Sequence, residues 1–156
     1  PNLAGQGNLA FLAIGIGAAP AAIAWDFVAR RIGDVNALIV AAGLQAVGIL
    51  LPVLAGGLVM TLLGALLFGA TFVGMVSLVM TMAGRYYPTR PAKMMGKMTL
   101  SYGAAQIAAP LVTAALATRS GSYEAGLYLA AGVMVLGTCL LMALKLVEPA
   151  AAPAVR

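Results

Sequence analysis

Five long apolar runs, each close to the length of a membrane crossing, constrain this chain more than any other feature. They are Leu9–Phe27, Val35–Leu54, Leu58–Met82, Met98–Ala117 and Ala125–Val147. A helix needs about 20 apolar residues to cross ~30 Å of hydrocarbon, and every run reaches or closely approaches that. In lipid, backbone polar groups are satisfied only inside a helix or a closed barrel. A barrel would show alternating segments of about ten residues, and these are absent. The fold class expected is all-α: a polytopic transmembrane helical bundle of five spans within residues 1–148. The Ala- and Pro-rich tail 149–156 is expected to be disordered.

The basic residues fall on alternate sides of these runs. Arg30 and Arg31 follow the first, and Arg85, Arg90, Lys93 and Lys97 lie between the third and fourth. Lys145 and Arg156 come at and after the end of the fifth, while the other two connections hold only Arg119. Lysine and arginine mark the cytoplasmic side, which puts the C-terminus inside and the start of the first span outside. The stretch Pro1–Asn8 carries no charge, so it is not a signal peptide. An odd number of spans entering from outside predicts at least one further helix upstream of Pro1, making this a C-terminal piece of a longer protein.

Composition narrows the function classes. The chain is 63% hydrophobic and 8% charged, against about 45–50% and roughly 25% in a soluble domain. The net charge of +5 does not mean nucleic acid. The cations cluster at span ends, with no basic helix face and no interleaved aromatics; they are expected to face anionic lipid. There is no His, no Ser–His pair, no phosphate loop and no metal-ligand cluster, and Cys139 stands alone in mid-span. An enzyme, a metal site and a bound cofactor are therefore not expected.

Short connections at Arg30–Asp34, Ala55–Gly57 and Thr118–Glu124 predict sequential antiparallel hairpins. The link Gly84–Lys97 is longer and is punctuated by Pro88 and Pro91. Small residues recur four apart at Gly15/Ala19, Ala65/Gly69, Ala70/Gly74 and Gly126/Ala130, a spacing that lets helices approach closely in lipid. Pro20, Pro52 and Pro110 lie within or near the ends of spans, where proline frees a carbonyl and permits a kink. A faint echo links Arg31-x-Gly33-x-x-x-Ala37 with Arg119-x-Gly121-x-x-x-Ala125. Each turn trails an in-helix proline, on opposite sides of the membrane, as in an inverted repeat of three helices.

Transport chemistry shows as polar groups near mid-membrane. In the fourth span Thr99, Tyr102, Gln106, Pro110 and Thr113 recur at steps of three and four, on one helical face. Gln106 lies near the middle, and its amide has four hydrogen-bonding sites that lipid cannot satisfy. That face must meet another helix or a wet cavity. Thr71 and Phe72 mark a second candidate in the third span, with Gly69, Gly74 and Met75 nearby. The alternative for Thr71 is a bond to its own i−4 carbonyl. Gln45, among apolar neighbours in the second span, is expected to bond across helices. Trp25, Tyr86, Tyr87 and Tyr123 sit at span ends and are expected to be interfacial anchors.

The run Trp25–Leu38 resembles the basic loop between the second and third helices of each half of a major facilitator transporter. That loop has the form Gly-x-x-x-Asp-Arg-x-Gly-Arg-Arg, followed by a leucine. Arg31, Gly33 and Leu38 match, while Asp26 stands at the first glycine, Arg30 at the acid and Asp34 at an arginine. The stretches Leu44–Pro52, Gly64–Gly74 and Met94–Pro110 resemble the YbfB/YjiJ-type branch of that superfamily. The resemblance implies a partial six-helix half, the eighth to twelfth helices of a twelve-helix secondary transporter of the bacterial inner membrane. Spans three and four would then stand beside the central cavity. Tyr102, Gln106, Thr71, Phe72 and Thr99 would face a small-molecule substrate, and Arg30, Arg31 and Gly33 would form a cytoplasmic gating loop. The expected partners are the lipid bilayer, the substrate and the N-terminal half of the same protein. The alternatives are a non-transporting membrane scaffold subunit and a channel-forming oligomer; a channel would want a filter ring, and none is visible.

Overall fold

The structure, a computed structural model describing residues 3–147, is built from helices in sequential hairpins. These are α1 (Leu3–Ala18), α2 (Ala21–Ile32), α3 (Asp34–Leu54), α4 (Gly57–Tyr86), α5 (Pro91–Ser120) and α6 (Glu124–Val147). The tail expected to be disordered lies outside the described residues. Four helices, α3 to α6, are each long and apolar enough to cross a membrane, and α1 and α2 together pass the same test as a pair bent by 43°, which makes a fifth crossing if the pair is one broken span. The fold is thus an all-α transmembrane bundle.

The break falls at Ala19 and Pro20. Proline has no N–H to offer Ile16, so the ladder stops with Ala19 N–H on the Gly15 carbonyl and restarts with Ala24 N–H on the Pro20 carbonyl. Pro110 behaves otherwise, because α5 runs through it. The two turns of the sequence echo share a helix-ending glycine of positive φ but differ in ψ, 152° at Gly33 and 6° at Gly121. Gly33 (φ +89°) and Gly121 (φ +71°) both adopt positive φ, which glycine adopts without steric cost. Each also sends its N–H back to a carbonyl four residues earlier, Ala29 at 2.8 Å and Ala117 at 2.9 Å. The long link between the third and fourth spans shrinks to Tyr87–Arg90, since α4 continues to Tyr86 and α5 begins with Pro91 at a favourable first position.

Helix α4 is the centre. It touches α1, α2, α3 and α5, while α6 lies against α3 and α5. The core sits where α2, α3 and α4 meet, and most of it is alanine: Ala21, Ala29, Ala37 and Ala41, with Trp25, Leu38 and Leu78. Lipid tails are as apolar as leucine, so burial from water cannot hold these helices together; close van der Waals contact must. Glycine supplies it. A Cβ on Gly69 would overlap the Ile14 backbone of α1, and one on Gly74 would overlap the Trp25 indole.

That contact corrects the expectation for Trp25. The ring is buried, and its Nε1 donates to the Ala70 carbonyl at 2.8 Å. Trp25 is a plug between α2 and α4, not a headgroup anchor. Tyr86, Tyr87 and Tyr123 are exposed at helix ends. Much of the outer surface is apolar, with Leu100, Ile107 and Leu146 among its exposed side chains, as a lipid-facing surface requires.

Candidate functional site

Helices α4 and α5 are both 30 residues long, so at ~1.5 Å per residue each overshoots the hydrocarbon and projects its ends into the headgroups. Phe72 is at the midpoint of α4 and Gln106 at that of α5. The structure brings these two levels together. Phe68 and Phe72, one turn apart, stack with centroids 5.5 Å apart and planes 7° from parallel. The Tyr102 ring leans over Phe72 at 6.1 Å and 39°. Gln106 Nε2, one turn further along α5, donates to the Tyr102 hydroxyl at 2.6 Å.

The result is an aromatic shelf ending in a polar pair. Phe68 and Phe72 are half-buried, while Tyr102 and Gln106 are exposed. The Tyr102 oxygen accepts the Gln106 proton, so its own O–H is free to donate to a third group. Gln106 keeps a carbonyl oxygen and a second N–H. A ligand with a flat or apolar part and a hydrogen-bonding group would be complementary to such a surface, since rings stack in offset or tilted arrangements. No residue of α5 is buried in the described structure, so this helix is held by few neighbours and carries its polar stripe outward.

The other sequence candidates are placed as follows. Thr99 is exposed one turn from the pair, with its hydroxyl donating to the Met95 carbonyl at 2.9 Å. Thr113 is turned toward α6, where its methyl would meet a Cβ on Gly126. Thr71 departs from the cavity lining expected of it. It is 1% exposed, with its hydroxyl 2.7 Å from the Leu67 carbonyl and 3.3 Å from Gln45 Oε1. It belongs to the α3–α4 seam behind the shelf, and it is the partner of the cross-helix bond expected for Gln45. Phe68 escaped the sequence reading, although its i−4 spacing from Phe72 was a signal for it.

The basic loop is clipped at several points. Arg30 Nε bonds Asp26 Oδ2 at 2.8 Å, and the Arg31 guanidinium lies 4.5 Å over the Phe27 ring. Asp34, in the first turn of α3, pairs with Arg85 in the last turn of α4 at 2.7 Å. That pair ties the loop to the far end of the helix carrying Phe72. Gly33 is the single residue between α2 and α3. Among the described residues, no three His, Cys, Asp or Glu converge on a point that could hold a metal.

A family model described as "Uncharacterised MFS-type transporter YbfB" matches residues 4–142. No curated protein and no solved structure matches the chain.

Proposed function

Since the chain belongs to the YbfB-type family of major facilitator transporters, we propose that its transport is secondary active and carries a small molecule by alternating access. The protein is a multi-pass membrane protein, and its family makes it a transporter. In our reading these helices are the eighth to twelfth of twelve, and the N-terminal half of the same protein packs over the shelf. Membrane sites of this kind sit near the midplane, between halves that rock against each other. The observation that carries the reading is the Phe72–Tyr102–Gln106 cluster at the midpoints of α4 and α5. Phe72 and Phe68 would receive an apolar or planar part of the substrate, and Tyr102 and Gln106 its polar group. Thr99 would extend the lining by one turn. Arg30, Arg31 and Gly33 would tighten on the cytoplasmic side as the halves move, with the C-terminus on that side of a bacterial inner membrane.

The test is uptake by the full-length protein in membrane vesicles, screened over small amphiphilic compounds. For any compound carried, Gln106→Leu lowers transport roughly tenfold, the order expected when a ligand's polar group loses its partner. Membrane expression stays at the wild-type level. Unchanged uptake removes Gln106 from the site. Flux that fails to saturate removes the transporter mechanism in favour of a channel.

A further inference from the structure

At the end of the bundle that the charge pattern places in the cytoplasm, α3 and α6 flank a groove of about 630 Å³. Asn36, Ile39 and Val40 form its α3 wall, and Met142, Lys145 and Leu146 its α6 wall. Each trio follows steps of three and one, a single helical face. Asn36 is in the first turn of α3 and Lys145 in the last turn of α6. Because the helices run antiparallel, those two polar residues share one level, and Ile39, Val40 and Met142 lie about a turn deeper. The groove is open at its side, where Val40 and Met142 are each nearly half exposed.

The geometry points to a binding site for an anionic diacyl phospholipid. A lysine ammonium at headgroup depth above an apolar slot matches a phosphate above an acyl chain. Asn36 is oriented for the same ligand: Nδ2 donates one proton to the Ile32 carbonyl at 2.6 Å, leaving its second N–H for a phosphate oxygen. Charge complementarity selects the anionic class. Among the described residues the nearby acids are paired, Asp34 with Arg85 and Asp26 with Arg30, so they oppose a lipid anion little. A free phosphate ion would use only Lys145 and Asn36 and gain nothing from the apolar walls. The groove shares no residue with the Phe72–Gln106 shelf, so the two readings fail separately.

The experiment is native mass spectrometry of the full-length protein released from mixed phosphatidylglycerol and phosphatidylcholine. Phosphatidylglycerol is retained in preference, and Lys145→Gln lowers that preference roughly fivefold, the worth of one basic residue near an anionic surface. Lys145→Arg keeps the preference, and Ile39→Trp, which fills the slot, lowers retention of both lipids. Equal retention of the two lipids by the wild type overturns the proposal, as does a Lys145→Gln protein that behaves like wild type. An equal loss from Lys97→Gln on α5 also overturns it, leaving only diffuse charge. Displacement of the lipid by millimolar inorganic phosphate would make the site one for a soluble anion.

Discussion

Helix α4 meets its neighbours in two contrasting ways. Toward α2 and α3 it offers Gly74 to the Trp25 ring and Thr71 to Gln45, in a seam of alanines where backbones nearly touch. Toward α5 it offers Phe72 to Tyr102, ring against ring, and α5 buries nothing. The first contact depends on small residues and tolerates no extra atom. The second depends on large flat side chains that can re-pack. A transporter needs both: a block that moves as one body, and a wall that admits a ligand and lets it go. The polar groups expected to meet substrate lie on the looser side, where their hydrogen-bonding capacity is not already used.

The sharpest way to break this contrast is to place the same methyl on both sides. Gly74→Ala pushes a Cβ into the Trp25 indole, whereas at Gly103 of α5 nothing lies within 4 Å. Overpacking costs about 1–3 kcal/mol, and the degree of overlap puts Gly74→Ala at the upper end. The full-length protein in detergent should lose several degrees of melting midpoint with Gly74→Ala and change little with Gly103→Ala. Equal shifts would mean that the two seams are equally tight.

A second comparison concerns the polar contact inside the tight seam. Gln45 and Thr71 are both nearly fully buried, and a cycle of Gln45→Leu, Thr71→Val and the double variant isolates their coupling. Interhelical hydrogen bonds in membranes average about 0.6 kcal/mol and reach about 1.7. The coupling should fall at the lower figure, because the Thr71 hydroxyl is shared with the nearer Leu67 carbonyl. If Thr71→Val also lowers transport as strongly as Gln106→Leu, Thr71 returns to the substrate site and the division between the two faces of α4 is lost.

Much of the architecture was legible because it is written along one dimension. Run length, charge placement and turn glycines need no knowledge of the fold, and they led to helices at each expected run, with Gly33 and Gly121 both ending a helix at positive φ. Local spacing likewise exposed the Tyr102–Gln106 pair and the back-bond of Thr71. What was hidden is what depends on a distant partner. Trp25 sits at a span end, where an aromatic side chain ordinarily anchors. Its burial depends on Gly74, on another helix, and no feature near residue 25 announces that. Prolines show the same limit, because the helix breaks at Pro20 and runs through Pro110. The helix ends escaped for a different reason: α4 and α5 extend past the apolar runs into charged sequence, where hydropathy falls silent and helix propensity continues.

The smallest effect tests the clip that joins the basic loop to α4. Asp34–Arg85 is the one ion pair between different helices among the described residues, and it lies on the tight side of α4. Arg85 is 54% exposed and Asp34 15%, and surface pairs are worth about 0.2–1 kcal/mol. Asp34 also stands in the first turn of α3, where a negative charge favours the helix dipole. Arg85→Gln should therefore cost a few tenths of a kcal/mol at low salt and almost nothing at high salt, whereas Asp34→Asn costs more because Asp34 is the less exposed partner and its charge is less screened. The exchange Asp34→Arg with Arg85→Asp should restore the pair but reverse the favourable charge at both helix ends, leaving stability no higher than that of Asp34→Asn. Full recovery by the exchange would mean the pair alone matters. Strictly additive effects of Asp34→Asn and Arg85→Gln would mean that Asp34 acts through α3 only, and the basic loop would then have no electrostatic tie to the helix that carries the shelf.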